Sequence, residues 1–175
     1  MSPVAVLVGP PGAGKSTVGA LLAERLGVSF VDSDALVEAR AGRAISDIFL
    51  GEGEAAFRVM EREAVAEALR SHDGVLALGG GAVMTEAVRE ALDGHPVVFL
   101  GVGLATGVRR VGLSTARPLL AGVNPRATFA ALLKERLPVY RAVARHEIAT
   151  DDLDPVGVVE SVLAALRPEA ADRAR

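Results

Sequence analysis

Short unbroken apolar runs alternate along this chain with longer stretches in which apolar residues recur every three or four positions. The run PVAVLV (3–8) stops at Gly9-Pro10-Pro11 and predicts a buried strand. Val18, Leu21, Leu22 and Leu26 carry helical spacing, so a helix is expected over 15–26 with Gly27 as its C-terminal cap. VSFV (28–31) predicts a second strand, followed by Asp32-Ser33-Asp34 and a helix from Asp34 to Arg40. Ser46-Asp47 reads as a capped short turn carrying Ile48 to Leu50, and a long helix is expected over 54–70. Further strands are expected at 74–78, 96–100 and 146–150, the last of them weak. Helices are expected near 85–92, 104–111 and 126–136, with a separate short helical piece after Pro138 and a last helix over 155–166.

Strands that alternate with helices, and that are Val/Leu-rich without polar alternation, describe a parallel sheet covered on both faces. The Gly-rich turn after residue 8, Asp32, and Gly79-Gly80-Gly81 each follow a predicted strand directly. In open α/β sheets ligands bind at those strand ends.

Residues 9–16 read Gly-Pro-Pro-Gly-Ala-Gly-Lys-Ser, matching the phosphate-loop pattern G-x-x-x-x-G-K-[ST] between a strand and a helix. Glycines let backbone N–H groups turn inward around phosphate oxygens, and the helix start points its positive dipole end at the anion. Lys15 can reach the terminal phosphates, and Ser16 offers a hydroxyl to Mg²⁺. The motif indicates a nucleoside triphosphate without saying what is done with it. An N-K-x-D guanine reader is missing, since the single Asn, Asn124, precedes Pro125-Arg126. The third strand ends in glycines rather than the Asp-Glu of motor-type ATPases, so Asp32 is the better support for Mg²⁺, through water.

Composition narrows the partners. The chain has 175 residues, enough for one domain with its own core. Aromatic residues are only 3%, and the formal charge is −3, which argues against nucleic acid as a main partner. The absence of Cys excludes thiol chemistry and disulfides and is compatible with the cytoplasm. No secretory pattern opens the chain, and no apolar run approaches the ~18 residues of a membrane span.

Six segments occur in order: GPPGAGKST, DSD at 32–34, FR at 57–58, GGG at 79–81, RPLL at 117–120 and R-x-P-x-Y at 136–140. Together, over about residues 3–165, they resemble the shikimate kinase family. The resemblance implies a three-layer α/β/α P-loop fold of the nucleoside-monophosphate-kinase type, with a five-stranded parallel sheet. It implies Mg²⁺-dependent transfer of the ATP γ-phosphoryl group to the 3-hydroxyl of shikimate by a cytoplasmic monomer, without nucleic-acid or membrane partners. By the same resemblance Gly12, Ala13, Gly14, Lys15, Ser16 and Thr17 bind ATP, with Arg110 and Pro155 flanking the adenine and Arg117 reaching the transferring phosphates from a lid. Asp34 contacts the substrate hydroxyls, Arg58 and Arg136 hold its carboxylate, and Gly79 and Gly80 bring backbone N–H groups close. Phe49 and Phe57 form an apolar wall, and Lys15, Asp34 and Arg117 are the catalytic set. An ordinary aspartate, with a pKa near ~3.9, is a poor base for an alcohol, so Asp34 is weighed as an orienting group first.

Blander roles compete for several of these residues. Asp32 or Asp34 could be helix caps, Arg58 could pair with Glu54 or Glu61 at helical spacing, and Phe49 and Phe57 could be ordinary core. A gluconate kinase of the same fold, and a nucleotide-binding module without catalysis, are the rival functions. The expected organisation is one kinase domain over 1–166, a substrate-binding excursion near 33–61, a lid near 112–124 and a disordered tail at 167–175.

Overall fold

The computed structural model describes residues 2–112 and 124–167. Its centre is strand β1 (Ala5–Val8), fully buried along its length. The other strands are β2 (Phe30–Asp32), β3 (Val75–Ala77), β4 (Val97–Gly101) and β5 (His146–Ala149). They form one sheet in the order β2-β3-β1-β4-β5, and every neighbouring pair is parallel. A parallel pair needs a crossover connection, which here is helical each time.

The helices are α1 (Lys15–Leu26), α2 (Ser33–Ala41), α3 (Ile45–Ser71), α4 (Glu86–Ala91), α5 (Leu104–Gly112), α6 (Pro125–Val143) and α7 (Pro155–Leu166). A single 3₁₀ turn spans Ala82–Met84. Alternation along β1 sorts the core into two layers. Ala5 and Leu7 join Val18 and Leu22 of α1 and Val158 and Val162 of α7. Val6 and Val8 face the opposite way, onto Val65 and Leu69 of α3 and Val88 of α4. A third, smaller cluster of Val37, Ile48, Phe57 and Ala64 binds α2 to α3.

Four boundaries differ from the pattern-based expectation. Strand β2 begins two residues late, because Val28 N–H is used to close α1, bonding Ala23 O at 3.0 Å. The carboxylate of Asp32 then caps the next helix, which therefore starts at Ser33. The expected turn and helix over 46–70 form one helical element, Ile45–Ser71, broken at Gly53, whose φ of 84° and ψ of 172° only glycine adopts readily. Pro138 does not end α6. Phe129, Leu132, Arg136 and Tyr140 lie buried on one stripe of that helix, so anchors on both sides of the proline offset the ~3 kcal/mol that an interior proline costs. The expected tail falls almost wholly outside the described residues.

Helix α6 also ties the layers together. Phe129 packs in the α1/α7 core, while Tyr140 stacks on Phe99 in the α3/α4 core, with ring centroids 5.1 Å apart. Gly107 of α5 lies directly on the buried Phe129 ring, where any Cβ would overlap it. Gly107→Val should therefore overpack the α5–α6 contact and destabilise the protein by about 1–3 kcal/mol. Thermal unfolding should show this as a drop of roughly 2–4 °C per kcal/mol; an unchanged melting temperature would mean that α5 yields without cost.

Candidate functional site

The loop between β1 and α1 keeps the conformation that its sequence demands. Gly14 sits in the left-handed region at φ 85° and passes the chain into α1. Its carbonyl accepts from Val18 N–H at 2.8 Å, so the helix starts immediately at Lys15. Ala13 is buried and Gly12 half-buried, whereas Ser16 and Thr17 are exposed at the first turn. Lys15 is 7% exposed, and its Nζ donates to Pro10 O at 3.0 Å across the loop. That contact curls the ammonium back over the loop, where it can serve the phosphate that the loop encircles.

Ser16 and Asp32 meet. The Ser16 hydroxyl donates to Asp32 Oδ2 at 2.6 Å, while Asp32 Oδ1 accepts from Asp34 N–H at 2.9 Å. The carboxylate thus caps α2 and faces the phosphate loop at the same time. A hydroxyl and one carboxylate beside a phosphate site fit Mg²⁺, which takes hard oxygen donors and leaves most positions to phosphate and water. Among the described residues no cluster of three or more His, Cys, Asp or Glu could hold a metal, so the pair would act together with bound phosphates.

The second half of the site is a compact set of charges against the glycine triplet. Arg58 on α3 donates from Nη1 to Glu61 Oε2 at 2.6 Å and from Nη2 to Glu54 Oε1 at 3.2 Å. The guanidinium lies 5.2 Å from the centroid of the Phe57 ring and directly against Gly81. Asp34 lies directly against Gly79, and a Cβ on Gly79 would also stand 2.8 Å from Glu61 Oε1. Gly79 and Gly81 thus leave room for charged side chains, while a Cβ on Gly80 would stand 3.1 Å from Pro11 Cδ in the phosphate loop. Arg136 is 9% exposed, and its Nε and Nη1 are buried without a hydrogen-bond partner. A buried guanidinium with unsatisfied donors is costly, and a carboxylate ligand at either nitrogen would satisfy a donor and bring the opposite charge.

Glu61 is buried, with 1% of its surface exposed. Desolvation pushes its carboxyl up to about 6; the Arg58 contact pulls the other way, the Asp34 charge adds to the rise, and Arg136 opposes it. For Arg58, burial disfavours the charged form, but Glu61 and Glu54 outweigh it and hold the group above its ordinary range.

Several of the expected site residues have defined surroundings within the protein. The Gly79 N–H is not turned to a ligand: it donates to the buried Ser33 hydroxyl at 2.9 Å. Arg58 makes both of the ion pairs weighed as its bland role, and those pairs are what hold it against the triplet. Phe57 is core, buried among Val37, Ile48 and Ala64, and Phe49 packs on it with centroids 4.9 Å apart. The outer NH groups of Arg110 are engaged by Gly12 and Thr150. Pro155 is exposed at the first position of α7. Arg117 and most of the expected lid fall outside the described residues.

Three residues that the sequence reading named only as motif members or as an ion-pair partner take roles it did not assign. Ser33 fastens β2 to the triplet. Glu61 extends a buried helical stripe of Phe57, Ala64, Val65 and Ala68, and a carboxylate on such a stripe was the available signal. Tyr140, one turn beyond Arg136, donates its hydroxyl to Gly80 O at 2.6 Å.

A phosphate loop at the end of the central strand of a parallel sheet, beside a cluster of paired charges, defines a P-loop kinase of small molecules. Known proteins specify it further. A family model described as shikimate kinase matches residues 11–167. The shikimate kinase of Saccharopolyspora erythraea is 62% identical over 174 residues, spanning 99% of this chain and 98% of that protein. Shikimate kinase from Acinetobacter baumannii, solved in complex with shikimate, superposes with a TM-score of 0.89 at 39% identity, over 93% of this chain and 91% of that one. A gluconokinase from Sinorhizobium meliloti, at 20% identity and a TM-score of 0.57 over 93% of this chain and 90% of its own, shares the fold alone. The chain belongs to the shikimate kinase family. Its activity is the family's, ATP- and Mg²⁺-dependent phosphorylation of shikimate.

Glu61 gives the site a measurable pH signature. In the native state it holds its proton up to about pH 6, against an ordinary value of 4.5. Between those values the native state binds more protons than the unfolded chain, so stability falls as pH rises. The interval corresponds to ~2 kcal/mol. Urea unfolding from pH 4.5 to 7 should show a decline of up to that size in the native protein and none of it in Glu61→Gln. Parallel curves for the two proteins would show that Glu61 titrates normally.

Proposed function

We propose that the charges around the glycine triplet form the shikimate half of the site and the loop 9–17 its ATP half. The observation that carries this is Arg136, a buried guanidinium with two unpartnered nitrogens beside the Arg58–Glu61 pair. Arg136 and Arg58 would hold the substrate carboxylate. Asp34 would orient the acceptor hydroxyl and take its proton late in the transfer. Gly79 would contribute by giving Asp34 room, and Gly80 by its backbone beside the phosphate loop, where its Cα lies near Pro11. Phe57 and Phe49 would line the apolar side of the ring, Phe57 chiefly by supporting Arg58.

Phosphoryl transfer passes through a loose transition state, so positioning and charge neutralisation dominate. Lys15 would offset charge on the terminal phosphates, and Arg117 would add a second cation from a lid over 112–124. Mg²⁺, when bound through Ser16 and Asp32, supplies electrostatic stabilisation of the phosphate oxygens. Arg110 and Pro155 would border the adenine, and Ala13 and Thr17 complete the phosphate contacts. The excursion over 33–61 would move with substrate, Gly53 being its one point of glycine-only backbone. Family resemblance adds a monomer acting in the cytoplasm.

The carboxylate clamp is tested by charge removal. Shikimate methyl ester leaves the buried Arg136 guanidinium without its counter-charge, a loss of about 3–5 kcal/mol by analogy with broken buried pairs. The native enzyme should therefore use it with kcat/KM reduced roughly 10²–10⁴-fold. Arg136→Lys should raise the KM for shikimate, leave that for ATP nearly unchanged, and narrow the acid–ester difference, because a lysine lacks the bidentate fork. Equal use of acid and ester by the native enzyme would mean that no clamp exists.

Asp34 is tested separately. Asp34→Asn keeps the shape and removes the charge, so turnover should fall far more than ATP affinity. If isothermal titration instead showed an equal loss of Mg·ATP binding, Asp34 would belong to the metal site and its role would pass to Asp32.

A further inference from the structure

Thr150, just past the end of β5, is almost completely buried, with 1% of its surface exposed, and no motif in the sequence includes it. Its hydroxyl has a single proton, which it donates to Gly101 O at 2.9 Å, where the Thr150 N–H also donates at 2.9 Å. The oxygen is thereby left as an acceptor on its remaining side, and Arg110 Nη1 donates to it at 3.0 Å. Arg110 Nη2 donates to the Thr150 carbonyl at 3.0 Å, so side chain and backbone of one residue grip two nitrogens of the guanidinium. Arg110 Nη1 also reaches Gly12 O, in the phosphate loop, at 3.2 Å. Gly12 is closely packed there: a Cβ would stand 3.0 Å from Val111 Cγ2 and 3.1 Å from Gly107 O. A continuous strut therefore runs from the ends of β4 and β5, through α5, to the loop that encircles the phosphates.

We propose that Thr150 is a positioning residue for the nucleotide half of the site, its hydroxyl fixing the Arg110 guanidinium and, through it, the Gly12 carbonyl of the phosphate loop. With its edge held from two sides, the guanidinium keeps one orientation and presents a fixed flat face, the surface by which arginine stacks on aromatic rings. The Thr150 carbonyl also accepts from Leu153 N–H at 3.4 Å, which carries the same anchorage into the turn before α7. A β-branched side chain suits the position because its χ1 is stiff, so the hydroxyl needs little ordering. The proposal rests on the reading that ATP occupies the loop 9–17.

Thr150→Val keeps the shape and removes both hydroxyl bonds. It should raise the KM for ATP about 5–10-fold, less than outright loss of a hydrogen bond to a charged group, because Arg110 keeps its bond to the Thr150 carbonyl. The KM for shikimate should stay within about twofold of native, and Thr150→Ser should restore most of the ATP affinity. Arg110→Ala should also raise the KM for ATP, and adding Thr150→Val to it should change little further, since Thr150 acts through Arg110. ADP titration of Thr150→Ala supplies the same comparison should the valine variant fail to fold. Multiplying effects in the double variant, an unchanged KM for ATP in Thr150→Val, or a serine variant as impaired as the valine one would overturn the proposal. An Arg110→Ala variant with native ATP affinity would instead remove Arg110 from the nucleotide site, a separate failure that would take Thr150's role with it.

Discussion

A buried ion pair must be matched on every side, and this requirement governs the active half of the molecule. Glu61 is seated in the interior of α3, where water cannot solvate its carboxylate. At neutral pH it stays ionised only because Arg58 is bonded to it and Arg136 is near. Asp34 approaches from α2 and raises the cost of that charge, so two acids and two guanidiniums share one small volume. The arrangement balances on paper, yet Arg136 keeps two buried nitrogens without partners.

Space for those charges comes from the backbone. Gly79 and Gly81 lie where Asp34 and Arg58 pass, and no side chain could stand there without displacing them. Ser33 and Tyr140 then fasten the triplet from opposite sides, one to the N–H of Gly79 and the other to the carbonyl of Gly80. Tyr140 can do so because α6 continues through Pro138 and reaches the second core layer with its ring on Phe99. The same helix therefore carries the buried Arg136 guanidinium and the hydroxyl that steadies the glycine triplet.

The nucleotide half follows a different logic. There the backbone of the phosphate loop does the binding, and side chains serve to hold the loop in place. Lys15 spans it internally through Pro10, and Arg110 braces it from α5. Ser16 and Asp32 join it to the shikimate half, because the carboxylate that caps α2 also receives the Ser16 hydroxyl. The phosphate loop and the charges around the glycine triplet are in this way referenced to one short stretch, the end of β2 and the start of α2.

Local rules written in the sequence account for the strand and helix order, the phosphate loop and the family. Helix α1 begins and ends where Gly14 and Gly27 place it, and the unalternated apolar runs become the parallel strands, because these features depend on neighbours within a few residues. Even the limits of local reading have local causes: proline chemistry argued for a break at 138, but could not weigh the buried stripe on either side. Motif residues such as Lys15, Asp34, Arg58 and Arg136 were visible because their spacing belongs to a shared pattern. The roles of Glu61, Ser33, Tyr140 and Thr150 were not, even though Ser33 and Tyr140 stand inside quoted segments, since each acquires its role from partners 3, 46, 60 and 40 positions away. Burial decides what a carboxylate or hydroxyl does, and for a polar residue burial is a property of the packed layers. Sequence alone determined which groups the chain brings to the chemistry; the tertiary structure decided which of them are desolvated, paired and held still.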